Sequence, residues 1–163
     1  MKILSLESSA AACSAALWGE DGLIAQNFQN SGLTHSRTLL PMADSLLRNC
    51  GASLDEVDVV AVAAGPGSFT GLRIAVSTAK GLAWGRDLDC APCSTLESMA
   101  YLFEGFDGVV CGAMDARCQQ VYRALFEFRN GQVIRLCEDR ALTIAELTDE
   151  LKSLGKPVLL TGD

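Results

Sequence analysis

The 163-residue chain contains one histidine, His35, so a pair of imidazoles cannot be assembled to hold a metal through nitrogen. As a general base His35 would need a nucleophile, and no Gly-x-Ser-x-Gly elbow occurs. In Thr34-His35-Ser36, ahead of a helical pattern, it reads as a surface or capping residue. Cys90 and Cys93 form a Cys-x-x-Cys before another helical stretch, a position that favours a thiolate. Zinc would require a second pair, and Cys111 with Cys118 has the wrong spacing. A redox role lacks a thioredoxin-like flank, so ordinary reduced thiols are the expectation. Two acids, Glu7 and Asp115, each end an apolar strand-like run. The segment Gly65-Pro66-Gly67-Ser68-Phe69-Thr70-Gly71 joins a strand-like run to a helical one. Gly65, Gly67 and Gly71 permit a tight turn, Ser68 or Thr70 can cap the helix, and amides at a helix start can hold an anion. No Lys-Ser/Thr follows and the dinucleotide spacing is absent, so it is neither a Walker loop nor a Rossmann fingerprint. A packing turn and an anion loop both remain open on these residues.

The elements that position these residues repeat. ILSL ends at Glu7, two apolar runs flank Gly19-Glu20-Asp21-Gly22, and apolar residues recur at helical spacing over 36–50 before Gly51. Pro41 falls in the first turn of that helix or kinks it, and VDVVAVAA then reads as a buried strand leading into the glycine segment. From residue 109 the same order returns: VVCGAM ending at Asp115, a hairpin about Arg129-Asn130-Gly131, a helix over 143–154, and PVLLT ending at Gly162. Strand, acid, hairpin, helix, strand, glycine is the half-domain order of actin, hexokinase and Hsp70. The expected fold is therefore α/β, with duplicated ribonuclease H-like half-domains at 1–106 and 107–163. The second copy stops where its glycine loop would begin, which reads as a shortened chain or a naturally short one.

Composition narrows the partners. Basic residues number 13 against 20 acidic ones, a net charge of −7, which argues against a direct grip on DNA or RNA. Hydrophobic residues reach 49%, enough for a real core. No apolar run approaches a membrane span, and Ser5, Glu7, Ser8 and Ser9 break up the N-terminal stretch that might pass for a signal peptide. A cytoplasmic location and reduced cysteines follow as expectations.

GPGSFTGLRIAVSTAKGLAWG at 65–85, STLESMA at 94–100 and MDARCQQVY at 114–122 together resemble the TsaB (YeaZ) family. That family is the non-catalytic partner in bacterial synthesis of threonylcarbamoyladenosine (t6A) in tRNA. ILSLESSAAACSAALW and THSRTLLPMADSLL fit as well, so the resemblance spans the chain. Glu7-Ser8-Ser9 stands where Asp-Thr-Ser is usual, and the family's chains continue beyond residue 163. The resemblance implies a scaffold that binds and organises TsaD. TsaD transfers the threonylcarbamoyl group to adenosine 37 of tRNAs reading codons that begin with A, and the ATPase TsaE joins the assembly. It further implies a homodimer when TsaD is absent and contact with tRNA only through the partner. The catalytic relatives hold a metal with His-x-x-x-His, and that pattern falls here on Thr95 and Met99, neither a usual ligand. No catalytic residue, metal site or cofactor is therefore expected in the isolated chain, with ATP or ADP confined to a shared interface. Glu7, Asp115 and the glycine segment read as vestiges of a nucleotide cleft. An actin-like ATPase or kinase is the alternative, and a glycoprotein endopeptidase of the M22 type a remote one.

The expected docking surface is helical. Leu39, Met42, Ala43 and Leu46 on the first helix, with Leu72, Ala75, Val76 and Ala79 on the helix after the glycine segment, could pack against two like helices of a partner. An interface of that kind buries on the order of 1,600 Å². The same residues could instead be covered by this chain's own sheet.

Overall fold

Alternating apolar and polar residues build a three-stranded meander in the computed structural model, which describes residues 1–163. Its strands are β1 (Ile3–Glu7), β2 (Cys13–Gly19) and β3 (Gly22–Gln29), paired antiparallel in sequence. The β2–β3 turn is Glu20-Asp21, closed by Gly22 at φ +116°. One residue is inserted in the ladder next to Leu17 and Trp18, a β-bulge. β3 is an outer edge of its sheet, and Leu23 to Gln29 contain neither a charge nor a proline.

α1 (His35–Asn49) buries Leu39, Met42, Ala43, Leu46 and Leu47, the apolar stripe that its spacing predicts. Pro41 lies inside the helix, beyond its first turn. Thr34 takes the N-cap position without a side-chain bond. The helix start is held by His35, whose Nε2 lies 2.9 Å from the Ala10 carbonyl and must therefore donate to it. After a 3-10 turn at Leu54–Glu56 come β4 (Val59–Gly65), α2 (Phe69–Trp84) and β5 (Asp89–Ser94). β4 runs parallel to β1, and the sheet order is β3-β2-β1-β4-β5. Leu4, Leu6, Leu17, Val60 and Val62 meet both helices in one core. Gly71, Ala75, Ala79 and Ala83 recur every four residues along α2 and are buried, so the helix sits close to the sheet.

The remaining elements are α3 (Thr95–Tyr101), β6 (Val109–Arg117), β7 (Gln120–Arg129), β8 (Gln132–Arg135), β9 (Arg140–Thr143), α4 (Ile144–Ser153) and β10 (Val158–Gly162). Their sheet order is β10-β6-β7-β8, with β10 parallel to β6. β8 and β9 pair with successive stretches of the same side of β7. Buried Arg123 on β7 anchors α4. Its Nε and Nη2 donate to the Glu150 carboxylate at 2.7 and 2.5 Å, and its Nη1 donates to the Glu138 carbonyl at 3.0 Å and the Cys137 sulfur at 2.9 Å. α4 begins on a capping box in which Thr143 and Glu146 bond each other's backbone amides.

Each half is a meander with a parallel strand beside its first strand, reached through a helix, which is the actin-like duplication. Contacts divide the chain into Met1–Cys93 and Ser94–Asp163, ahead of α3, whereas the sequence reading put the boundary after it, at 106/107. The cause is that α3 packs on β6, β7 and β10, burying Leu96 and Ala100 completely. Register corrects a second expectation. Ser5 faces Ala61 and Ala113 faces Gly162, so matching Glu7 to Asp115 makes Gly162 the counterpart of Ala61 and not of Gly65. The ends of apolar runs do not report how parallel strands are offset. No helix is long and apolar enough to cross a membrane.

Candidate functional site

β4 delivers the glycine segment onto the β1–β2 loop. A Cβ on Gly71 would lie 1.9 Å from the Ser8 carbonyl oxygen, and one on Gly67 would lie 2.7 Å from the Ser9 carbonyl oxygen. Gly65 ends β4 at φ +123°. The Ser68 amide donates to the Ser9 carbonyl at 2.7 Å, and the buried Ser8 hydroxyl donates to the Gly71 carbonyl at 2.9 Å. Of the two proposed caps it is Ser68 that serves, accepting from the Gly71 amide at 3.3 Å, while Thr70 is exposed. Gly67 and Gly71 thus allow backbone to lie against backbone, which is the packing-turn alternative in physical form.

The two acids bond within their own loops. The Glu7 carboxylate accepts from both the amide and the hydroxyl of Ser9. Asp115 accepts from the Arg117 amide at 2.7 Å and pairs with the Arg117 guanidinium at 3.3 Å, and its own amide donates to Asp163 at 3.1 Å. No group of three or more His, Cys, Asp or Glu side chains gathers in a metal-holding arrangement. Thr95 is buried with its hydroxyl unpartnered, and Met99 is half-buried on the same helix. Cys90 and Cys93 are exposed on β5, three residues apart along a strand. That spacing separates their Cα atoms by about 10 Å and turns them to opposite faces, too far for a local disulfide. Burial pushes the Cys111 thiol up to about 11.

The helical layer needs a correction. Leu39, Met42, Ala43, Leu46, Ala75 and Ala79 are buried in the core of their own unit, and Leu72 and Val76 are half-buried. A stripe at helical spacing identifies a covered face without saying what covers it, and here the cover is this chain's own sheet. What the two helices leave outside is a different set: Leu40 at 48% exposure, Phe69 at 74% and Trp84 at 90%. Alongside α1 lies a groove of about 600 Å³ lined by Leu40, Pro41, Asp44, Leu47 and Arg48 of that helix, by Leu54 of the 3-10 turn and by Leu82 of α2. Sequence reasoning missed Phe69 and Trp84. The signal that could have found them was their position on α2 outside the arc of Gly71, Ala75, Ala79 and Ala83, where a large apolar side chain has nothing to pack against.

The family model for TsaD, the tRNA N6-adenosine threonylcarbamoyltransferase, matches residues 29–158. The tRNA threonylcarbamoyladenosine biosynthesis protein TsaB of Bacillus subtilis (strain 168) is 36% identical over 162 residues, covering 99% of this chain and 71% of its own. The protein of the same name from Escherichia coli (strain K12) is 39% identical over 129 residues, 78% of this chain and 55% of its own. The solved structure of YeaZ from Pseudomonas aeruginosa superposes with a TM-score of 0.79 at 33% identity, over 86% of this chain and 66% of that one. This chain therefore spans between about half and seven-tenths of the length of these relatives.

Proposed function

The chain belongs to the TsaB family of tRNA threonylcarbamoyladenosine biosynthesis proteins, and on that premise we propose that it is a non-catalytic subunit that docks a TsaD-type transferase through the outer side of α1 and α2. The observation that carries the reading is the exposure of Leu40, at the lip of the groove, and of Phe69 and Trp84, at the two ends of α2. Large aromatic side chains left in water are the residue types that anchor protein interfaces. The covered stripe of Leu39, Leu46, Ala75 and Ala79 holds the helices rigidly on the sheet, so the outer side is presented as a preformed surface. The transferase would carry out the transfer to adenosine, and a TsaE-type ATPase would join the pair. A second copy of this chain would compete for the same side when the transferase is scarce.

Reconstitution tests the proposal. The 163-residue chain is mixed with the TsaD-type transferase and TsaE-type ATPase of the same organism, unmodified tRNA and the threonylcarbamoyl donor, and t6A is measured by nucleoside mass spectrometry. The expected result is that modification requires both this chain and the transferase, and falls at least tenfold when Trp84→Ala and Leu40→Asp are combined. Modification by this chain without the transferase, or an equal yield when this chain is omitted, would overturn the reading.

A further inference from the structure

The unit Met1–Cys93 contains six basic and nine acidic side chains and so carries a net charge of −3. Three of its bases are matched: Lys2 with Glu56 at 2.6 Å, Arg86 with Asp55 at 2.8 Å, and Arg48 with Asp44. The other three, Arg37, Arg73 and Lys80, have no ion-pair partner and are exposed, and all three stand on α1 or α2. The two helices together hold four bases and a single acid, Asp44, already paired to Arg48. An acidic unit thus turns a helical layer of net charge +3 outward.

The cations are also ordered. On α2, Phe69, Arg73, Ser77, Lys80 and Trp84 fall within an arc of about 80° at 100° per residue, and all are exposed. The Arg73 guanidinium lies 5.4 Å from the centre of the Phe69 ring, which holds it along the stripe. The stripe therefore has an aromatic side chain at each end, two unmatched cations between them, and a small residue, Ser77, at the middle, where another backbone can approach.

We infer that this cationic aromatic stripe on α2 selects a partner whose helical face presents carboxylates, and so favours a different protein over a second copy of this chain. The inference rests on the docking reading above and adds its chemistry. A two-fold pairing through α2 sets Arg73 and Lys80 against the same residues of the other copy, and like charges brought together repel. An acidic partner face removes that repulsion and leaves Phe69 and Trp84 free to bury. The two associations must then respond to salt in opposite directions, because screening weakens attraction and repulsion alike.

The test uses the full 163-residue chain and the TsaD-type transferase of the same organism, followed by analytical ultracentrifugation and calorimetry from about 50 mM to about 500 mM NaCl. The expected results are a transferase affinity that falls with salt and a self-association that rises with it. Charge reversal by Arg73→Glu with Lys80→Glu should weaken the heterodimer about tenfold at low salt and strengthen the homodimer, while Lys152→Glu on α4 should change neither. Circular dichroism checks that the variants stay folded, and Lys80→Glu alone, further from the glycine loop, should reproduce the direction. A transferase affinity indifferent to salt and to both reversals overturns the charge inference and leaves the docking reading standing. Failure of the unaltered chain to bind the transferase at any salt overturns both. A parallel titration with unmodified tRNA decides a rival occupant: if the double reversal abolishes tRNA binding and spares the transferase, the stripe reads nucleic acid and the inference falls.

Discussion

Gly71→Ala and Gly81→Ala make the same change in the same helix, and the structure gives them opposite signs. At Gly71 the new methyl would lie 1.9 Å from the Ser8 carbonyl oxygen, so the β1–β2 loop or the start of α2 must move by about 1 Å to reach even a 3.0 Å contact. Forced overpacking costs about 1–3 kcal/mol. The shift also stretches the Ser8 hydroxyl bond to Gly71 and the Ser68 amide bond to Ser9, each contributing about 1 kcal/mol. Alanine returns about 1 kcal/mol of helix propensity. The sum is a loss of about 3 kcal/mol for Gly71→Ala. At Gly81 nothing lies within 4 Å of the added methyl, so propensity acts alone and stability rises by about 0.5–1 kcal/mol. Trp18 and Trp84 are the chain's two tryptophans and both belong to the unit Met1–Cys93, so fluorescence during urea unfolding reports on that unit. The Gly71→Ala midpoint should fall by about 1–3 M and the Gly81→Ala midpoint should rise. A Gly71→Ala midpoint at or above that of the unaltered chain would refute the close-packing account of the glycine segment.

Three further outcomes are expected. Leu46→Asp puts an unpaired charge in the core beside Leu39 and should unfold the first unit by circular dichroism, whereas Leu40→Asp should leave the spectrum unchanged and reduce complex formation on size-exclusion chromatography. Glu150→Ala strips the carboxylate from buried Arg123 and should cost the second unit about 3 kcal/mol, read as faster amide exchange in β7 and α4. Iodoacetamide at pH 8 should label exposed Cys90, Cys93 and Cys118 well before Cys111, which should react only on unfolding. Since the folded Cys111 value is raised above the ordinary 9.0, its contribution to stability is full below pH 9 and declines as pH rises toward 11.

The duplicated order of elements was legible because it rests on strong local signals. The Asp-containing and Asn-Gly turns, the apolar stripes of α1 and α4, and the β-branched run of β4 each state their structure within a few residues. β5 was missed because Asp89-Cys90-Ala91-Pro92-Cys93-Ser94 is largely exposed, contains a proline, and owes its extended form to its place beside β4. β9 was missed because four residues, Arg140 to Thr143, carry no period of their own and pair with β7 only once the hairpin has formed. The candidate docking residues were displaced for a related reason. The periods of α1 and α2 locate Leu46 and Ala79 correctly on a buried side, but burial by the chain's own sheet and burial by a partner leave the same pattern. Phe69, Arg73, Lys80 and Trp84 stood out once the opposite side of α2 could be seen to be empty.

The inserted residue beside Leu17 and Trp18 guards more than a turn. Along β3, from Leu23 to Gln29, nothing ionised and no imino acid discourages a stranger from zipping onto the open border of the sheet, and Phe28 is 66% exposed there. Sequences of that kind, neutral and rich in amides, are the raw material of fibrils when they lie flat. A bulge bends and twists the strand that carries it, which denies a newcomer a straight template. Irregularity at that spot works against pairing along a sticky margin, and deleting Ile24 to regularise the ladder should turn concentrated solutions turbid and thioflavin-positive.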